Sequence, residues 1–121
     1  MEKPYSINVV DGILVVRFSQ APTVSDVISA MDEVIAKCIA LPRLWIFQFG
    51  IRFSTDELKK LAQYAIRKSQ EAPPRTAIVA PDDYSFGLAR MHDVFRQQEG
   101  LEMRVFRGEQ EAIAWLNYEQ D

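Results

Sequence analysis

The residues with most chemical potential stand close together in the stretch AIVAPDDYSFGLARMHDVF, residues 77–95, which holds Asp82, Asp83 and the single histidine, His92. Adjacent carboxylates can ligate a divalent cation or divide acid and base work, and a histidine can move a proton near neutral pH. Their setting points elsewhere. Pro81, Asp82 and Asp83 come directly before a helical pattern, where an aspartate accepts backbone N–H bonds and faces the positive end of the helix dipole. His92 follows Leu88 by four positions and Met91 by one, on the face that carries Phe95, and reads as a packing residue. No cysteine or serine is spaced to be its nucleophilic partner, and a metal site needs more ligands than one histidine supplies. A phosphate-accepting receiver would want a lysine after a late strand, but the last strand pattern runs out at Phe106-Arg107-Gly108. With no glycine-rich phosphate loop or nucleophile elbow either, the sequence offers no catalytic residues, no metal ligands and no cofactor motif.

Binding is the better prospect. In FGIRFST, residues 49–55, Ile51 and Phe53 flank Arg52 in a loop expected to face solvent, and exposed apolar residues there would mark a partner surface. The plainer alternative is that they fold inward and cap the core. Ser54 and Thr55 stand at a helix start, which stabilises anions, so either hydroxyl is a candidate for phosphorylation, while Ser54 equally serves as an N-cap. Gly87 lies inside a helical pattern without a capping role. It either lets the helix approach the sheet or leaves room for an apolar ligand beside Leu88, Met91 and Phe95. Arg90, Arg96, Arg104 and Arg107 read as a solvated face, and Trp45 and Trp115 as core.

The elements that position these residues are legible. Tyr5, Ile7 and Val9 alternate with polar residues, Asp11-Gly12 follows, and Ile13 to Phe18 is a second apolar run, a strong hairpin signal. Val24, Val27, Ile28, Met31, Val34 and Ile35 trace a helix face behind a Thr23 cap, with Asp26 three positions on. Leu44 to Phe49 reads as a buried strand. Ser54 and Glu57 form a capping box for the helix striped by Leu58, Leu61, Ala62, Ala65 and Ile66. Pro73-Pro74 breaks the chain before a strand at Thr76 to Ala80. A helix over about Ser85 to Gln98 stops at Gly100, then a strand at Met103 to Phe106 and a helix at Gln110 to Leu116 complete the order ββαβαβαβα. This is one α/β domain over 1–121, with a mixed, mostly parallel sheet, four helices and the first strand antiparallel at an edge. Ligands in such sheets gather at the carboxyl ends of the strands, here Ser19–Thr23, Gly50–Thr55 and Pro81–Ser85.

Totals narrow the function classes. A net charge of −3, from 14 Lys and Arg against 17 Asp and Glu, argues against a general nucleic-acid binder. No apolar run approaches membrane-spanning length, so stable membrane insertion is not expected. The opening MEKPYS lacks the apolar core of a secretion signal, and Cys38 is the only cysteine, which together lead to the expectation of a cytoplasmic protein.

Three blocks, LWIFQFGIRFSTDELKKLAQYAI, RTAIVAPDDYSFGLARMHDVF and LEMRVFRGEQEAIAWL, resemble the SpoIIAA-like proteins of the STAS superfamily, small bacterial domains also described as STAS/SEC14-like. The likeness covers nearly the whole chain and lies in element order and these blocks. It implies a central sheet with helices packed on it. In the anti-sigma-factor antagonists of that superfamily, the loop before the second helix carries a phosphorylatable serine in an Asp-Ser-Ser-Gly motif. The matching place reads Phe53-Ser54-Thr55-Asp56, so Ser54 is the nearest equivalent and the motif itself is missing. The SEC14-like side implies an apolar ligand between helices and sheet.

The function expected on these grounds is a non-enzymatic regulatory module. It would touch a protein partner through Ile51, Arg52, Phe53, Ser54, Thr55, Asp82, Asp83 and Tyr84. The alternative is a carrier or sensor of a lipid or other apolar small molecule, with its pocket under the third helix at Gly87, Leu88, Met91 and Phe95. Homodimerisation through an edge strand or helix face is left open.

Overall fold

A computed structural model describes residues 3–37, 40–68, 75–96 and 102–118. The expected breaks at Pro73-Pro74 and Gly100, together with Cys38, lie outside them. Among the described residues the order is β1 (Tyr5–Val10), β2 (Ile13–Phe18), α1 (Val24–Ala36), β3 (Arg43–Ile46), α2 (Thr55–Lys68), β4 (Thr76–Val79), α3 (Asp83–Phe95), β5 (Met103–Phe106) and α4 (Glu109–Leu116). No helix among them is long and apolar enough to cross a membrane.

Local chemistry sets the element ends. Asp11 and Gly12 take positive φ, 50° and 78°, as the tight hairpin between β1 and β2 requires. Thr23 Oγ1 accepts from the Asp26 N–H at 3.1 Å while the Thr23 N–H donates to Asp26 Oδ2 at 2.9 Å. Ser54 and Glu57 repeat this arrangement at 3.1 and 2.9 Å ahead of α2. Each reciprocal cap satisfies two N–H groups that the first turn leaves without helical partners. β3 is shorter than its apolar run suggests. The chain turns at Phe47, whose carbonyl accepts from the Gly50 N–H at 2.9 Å, and Gly50 there has a φ of 84°.

The strands lie in sequential order β1-β2-β3-β4-β5, with β1 antiparallel at one edge and the other pairs parallel. Alternation along each strand splits the apolar residues between two layers. Val16, Trp45 and Ile78 meet Val27, Val34, Leu58, Leu61 and Ala89, so α1, α2 and α3 share one face. Leu44, Ile46, Ala77 and Val79 meet Ala112 and Leu116 of α4 on the other. Phe18 is fully buried, stacked on Phe47 at 4.9 Å between ring centroids. Burying such a side chain stabilises by about 1.5–3 kcal/mol, and the ring pair adds roughly 0.5–1.5 kcal/mol. Arg17 reaches across the α4 side with two 3.0 Å bonds to Glu109, fastening α4 to β2.

Candidate functional site

Between the sheet and α1–α3 lies a cavity of about 70 Å³. Its walls are mostly apolar: Val34 from α1, Leu61 and Ala65 from α2, Trp45 and Ile78 from the sheet. Where β3 and β4 begin, the lining changes character, since Arg43 and Thr76 are the first residues of these strands and pair with each other in register. Arg43 shares the parity of Trp45, so strand alternation turns it to the helix-covered face. From α3 come Ala89, His92 and Arg96, whose spacing of three and four places them on one helix face.

The basic end is poorly compensated. Arg96 is only 8% exposed, and the Nε groups of both Arg96 and Arg43 are buried without a hydrogen-bond partner. Burial, and then the nearby Arg43 charge, push the Arg96 guanidinium down to about 10. Burial also lowers Arg43. His92 is pushed down to about 4, by burial first and by Arg96 second, so its imidazole is neutral at neutral pH. Asp93 is the acid nearest in sequence, but it does not line the cavity. Burial raises its carboxyl, with Arg90 and Arg96 pulling it back. No acid stands among the described lining residues. Arg96 gains some relief from the Asp93 charge, and from its place at the α3 C-cap, where its backbone N–H bonds the His92 carbonyl at 2.9 Å and a cation suits the negative dipole end.

The residues singled out in the sequence are distributed differently. Asp82 caps α3, its Oδ1 accepting from the Ser85 N–H at 2.8 Å, and that bond holds its carboxyl below its ordinary value. Asp83 pairs with Arg107. Arg52, Ser54, Thr55 and Tyr84 are exposed, with the Arg52 guanidinium 5.2 Å from the Tyr84 ring centroid. Ile51 and Phe53 take the inward alternative and not the solvent-facing one, which removes them from the expected partner surface: they are 4% and 6% exposed and belong to the core. The reason is the backbone around Gly50, which turns the chain back under α3, where the Ile51 N–H donates to the buried Ser85 Oγ at 2.9 Å.

The pocket expected at Gly87, Leu88, Met91 and Phe95 is also corrected. None of the four lines the cavity. Gly87 and Met91 are exposed, a Cβ on Gly87 would meet nothing within 4 Å, and Leu88 and Phe95 are half-buried against the core. The cavity lies on the α3 face one step round, and Arg96, expected on a solvated surface, is buried there. Arg43 and Arg96 were therefore missed. Their signal was present as an arginine opening the run RLWIF and an arginine four positions after His92 on a face that also carries Ala89.

Among the described residues no three His, Cys, Asp or Glu are grouped to hold a metal ion. Compared with protein-family models, curated proteins and solved structures, the chain matches none of them.

Proposed function

We propose that this chain is a non-enzymatic binding module, a carrier or sensor of an apolar small molecule held between the sheet and α1–α3. One observation carries the reading: the interior keeps a cavity of about 70 Å³ where packed cores retain few voids larger than a water. A void of that volume costs about 1–2 kcal/mol at the usual penalty for unfilled core space. An occupant offsets that cost, and apolar walls suit an apolar one. The single cysteine agrees with a reducing compartment, and a cytoplasmic location is part of the reading.

Native mass spectrometry of gently purified protein tests it, with Ala65→Leu as the control that fills the cavity from α2. An apolar adduct on the wild type that Ala65→Leu loses supports the reading. A wild type that carries no adduct, and whose melting temperature no short apolar compound raises, sinks it.

A second reading, contact with a protein partner, is favoured by Phe49 and Tyr84, which are 56% and 58% exposed near the carboxyl ends of β3 and β4. Its surface would be Phe49, Arg52 and Tyr84 with the neighbouring Ser54, Thr55, Asp82 and Asp83, without Ile51 and Phe53. A partner captured equally by wild type and by a Phe49→Asp, Tyr84→Ala variant would count against it.

A further inference from the structure

We propose that the ligand of this cavity is an aliphatic monocarboxylate, its chain against the apolar walls and its carboxylate between Arg43 and Arg96. The proposal rests on the small-molecule reading above and adds the charge and orientation of the ligand. The cavity is polar at one end only, and the cationic groups there are two guanidiniums whose Nε atoms are buried and unbonded. Each unsatisfied buried Nε–H costs free energy, and burial disfavours both charges. The described lining supplies no acid, and Asp93, whose charge reaches Arg96, lies off the cavity and is divided between Arg96 and Arg90. The missing counter-charge is therefore best supplied by the occupant.

The class of anion follows from the geometry. A guanidinium presents a planar fork of donors that matches the two oxygens of a carboxylate. A phosphate ester also suits two guanidiniums, but its bulkier head would take up most of a cavity of about 70 Å³ and leave the apolar walls little to hold. Trp45, Val34, Leu61 and Ile78 offer nothing to a polar body and suit an alkyl chain. His92 is neutral at this end, so it adds no third positive charge, and the Asp93 charge felt by Arg96 offsets part of the other two, which suits a monoanion. The volume of about 70 Å³ is roughly twice one water's share of liquid, which calls for a short chain.

Calorimetric titration of the full chain with propanoate and butanoate, each beside the alcohol of equal length, separates charge from apolar contact. Arg43→Met and Arg96→Met are titrated alongside, since methionine keeps much of the length and adds no unpaired charge. The carboxylate is expected to bind about ten-fold or more tightly than its alcohol, the scale of one charge-assisted hydrogen bond. Each methionine variant is expected to lose far more affinity for the carboxylate than for the alcohol, so that the ten-fold gap between them closes. Equal affinity of carboxylate and alcohol, unchanged in the variants, would overturn the charge inference and leave the apolar-ligand reading standing. Failure of every one of these compounds to bind would overturn both.

Discussion

Arg43, at the first position of β3, and Arg96, at the end of α3, converge on one end of a single cavity, each with its Nε buried and unbonded. Two like charges so placed work against the ligand-free fold, which is visible in the way Arg43 helps push Arg96 down. Replacing buried ionic groups by apolar ones of similar volume is often stabilising, by about 1–4 kcal/mol. Arg96→Met is therefore expected to raise the ligand-free stability by about 1–3 kcal/mol in urea unfolding. A loss of stability would show that Arg96 is satisfied by contacts the fold needs.

The loop before α2 separates surface from core within five residues. Phe53 is packed with Leu58 and Leu61, so Phe53→Ala is expected to cost about 3–5 kcal/mol, and Ile51→Asp to prevent stable folding. Phe49→Ala, in the same loop but exposed, should stay within about 0.5 kcal/mol of wild type. Denaturation midpoints of the three variants check this. A mild Phe53→Ala would mean that the loop can leave the core at little cost.

Most of the fold was legible in the sequence, and the reasons are local. Thr23 with Asp26, Ser54 with Glu57 and Asp11-Gly12 each fix an element end through contacts within a few residues, and the structure shows them as expected. The parallel order followed from alternating strands and helices. What stayed hidden depended on long-range geometry. Ile51 is turned inward by a bond to Ser85, far along the chain, and no periodicity inside FGIRFST carries that information. The cavity escaped for a similar reason. Gly87 looked like space in the helix, yet the space is bounded by Ala89, His92 and Arg96 on the adjoining face. Arg43 and Thr76 stand at the amino ends of β3 and β4, opposite the carboxyl ends where ligands of such sheets usually gather.

Two glycines should respond in opposite directions. A Cβ on Gly50 would stand 3.0 Å from Ser85 Oγ and 3.1 Å from Asp82 Oδ2, on a backbone with φ at +84°. Gly50→Ala is expected to cost about 1–3 kcal/mol, from left-handed strain and from displacing the Ser85 hydroxyl that receives the Ile51 N–H. Gly87 is exposed in the interior of α3 with open space at its Cβ position, so Gly87→Ala should gain about 0.5–1 kcal/mol. Gly87→Leu is likewise expected to leave ligand binding unchanged. Thermal melts rank the pair, and a binding defect in Gly87→Leu would move the ligand to the other face of α3.

His92 should give the fold a defined acid sensitivity. Its imidazole titrates at about 4 in the folded chain against an ordinary value of 6.5, because burial and Arg96 disfavour the charged form. The unfolded chain therefore binds the proton more readily between those values, and stability falls as pH drops from 6.5 toward 4. Well above 6.5 both states hold the neutral ring and this contribution is flat. The full difference approaches a few kcal/mol, since a tenfold change in proton affinity is worth about 1.4 kcal/mol. Asp93, raised by burial, pushes the opposite way at lower pH, because the folded chain takes up its proton first. A variant that keeps Asp93 and the arginines but removes the ring, His92→Gln, isolates the histidine. Urea midpoints measured from pH 7 to pH 4 should decline less steeply in His92→Gln than in wild type. Parallel curves would mean that the imidazole is solvated well enough to accept its proton in place.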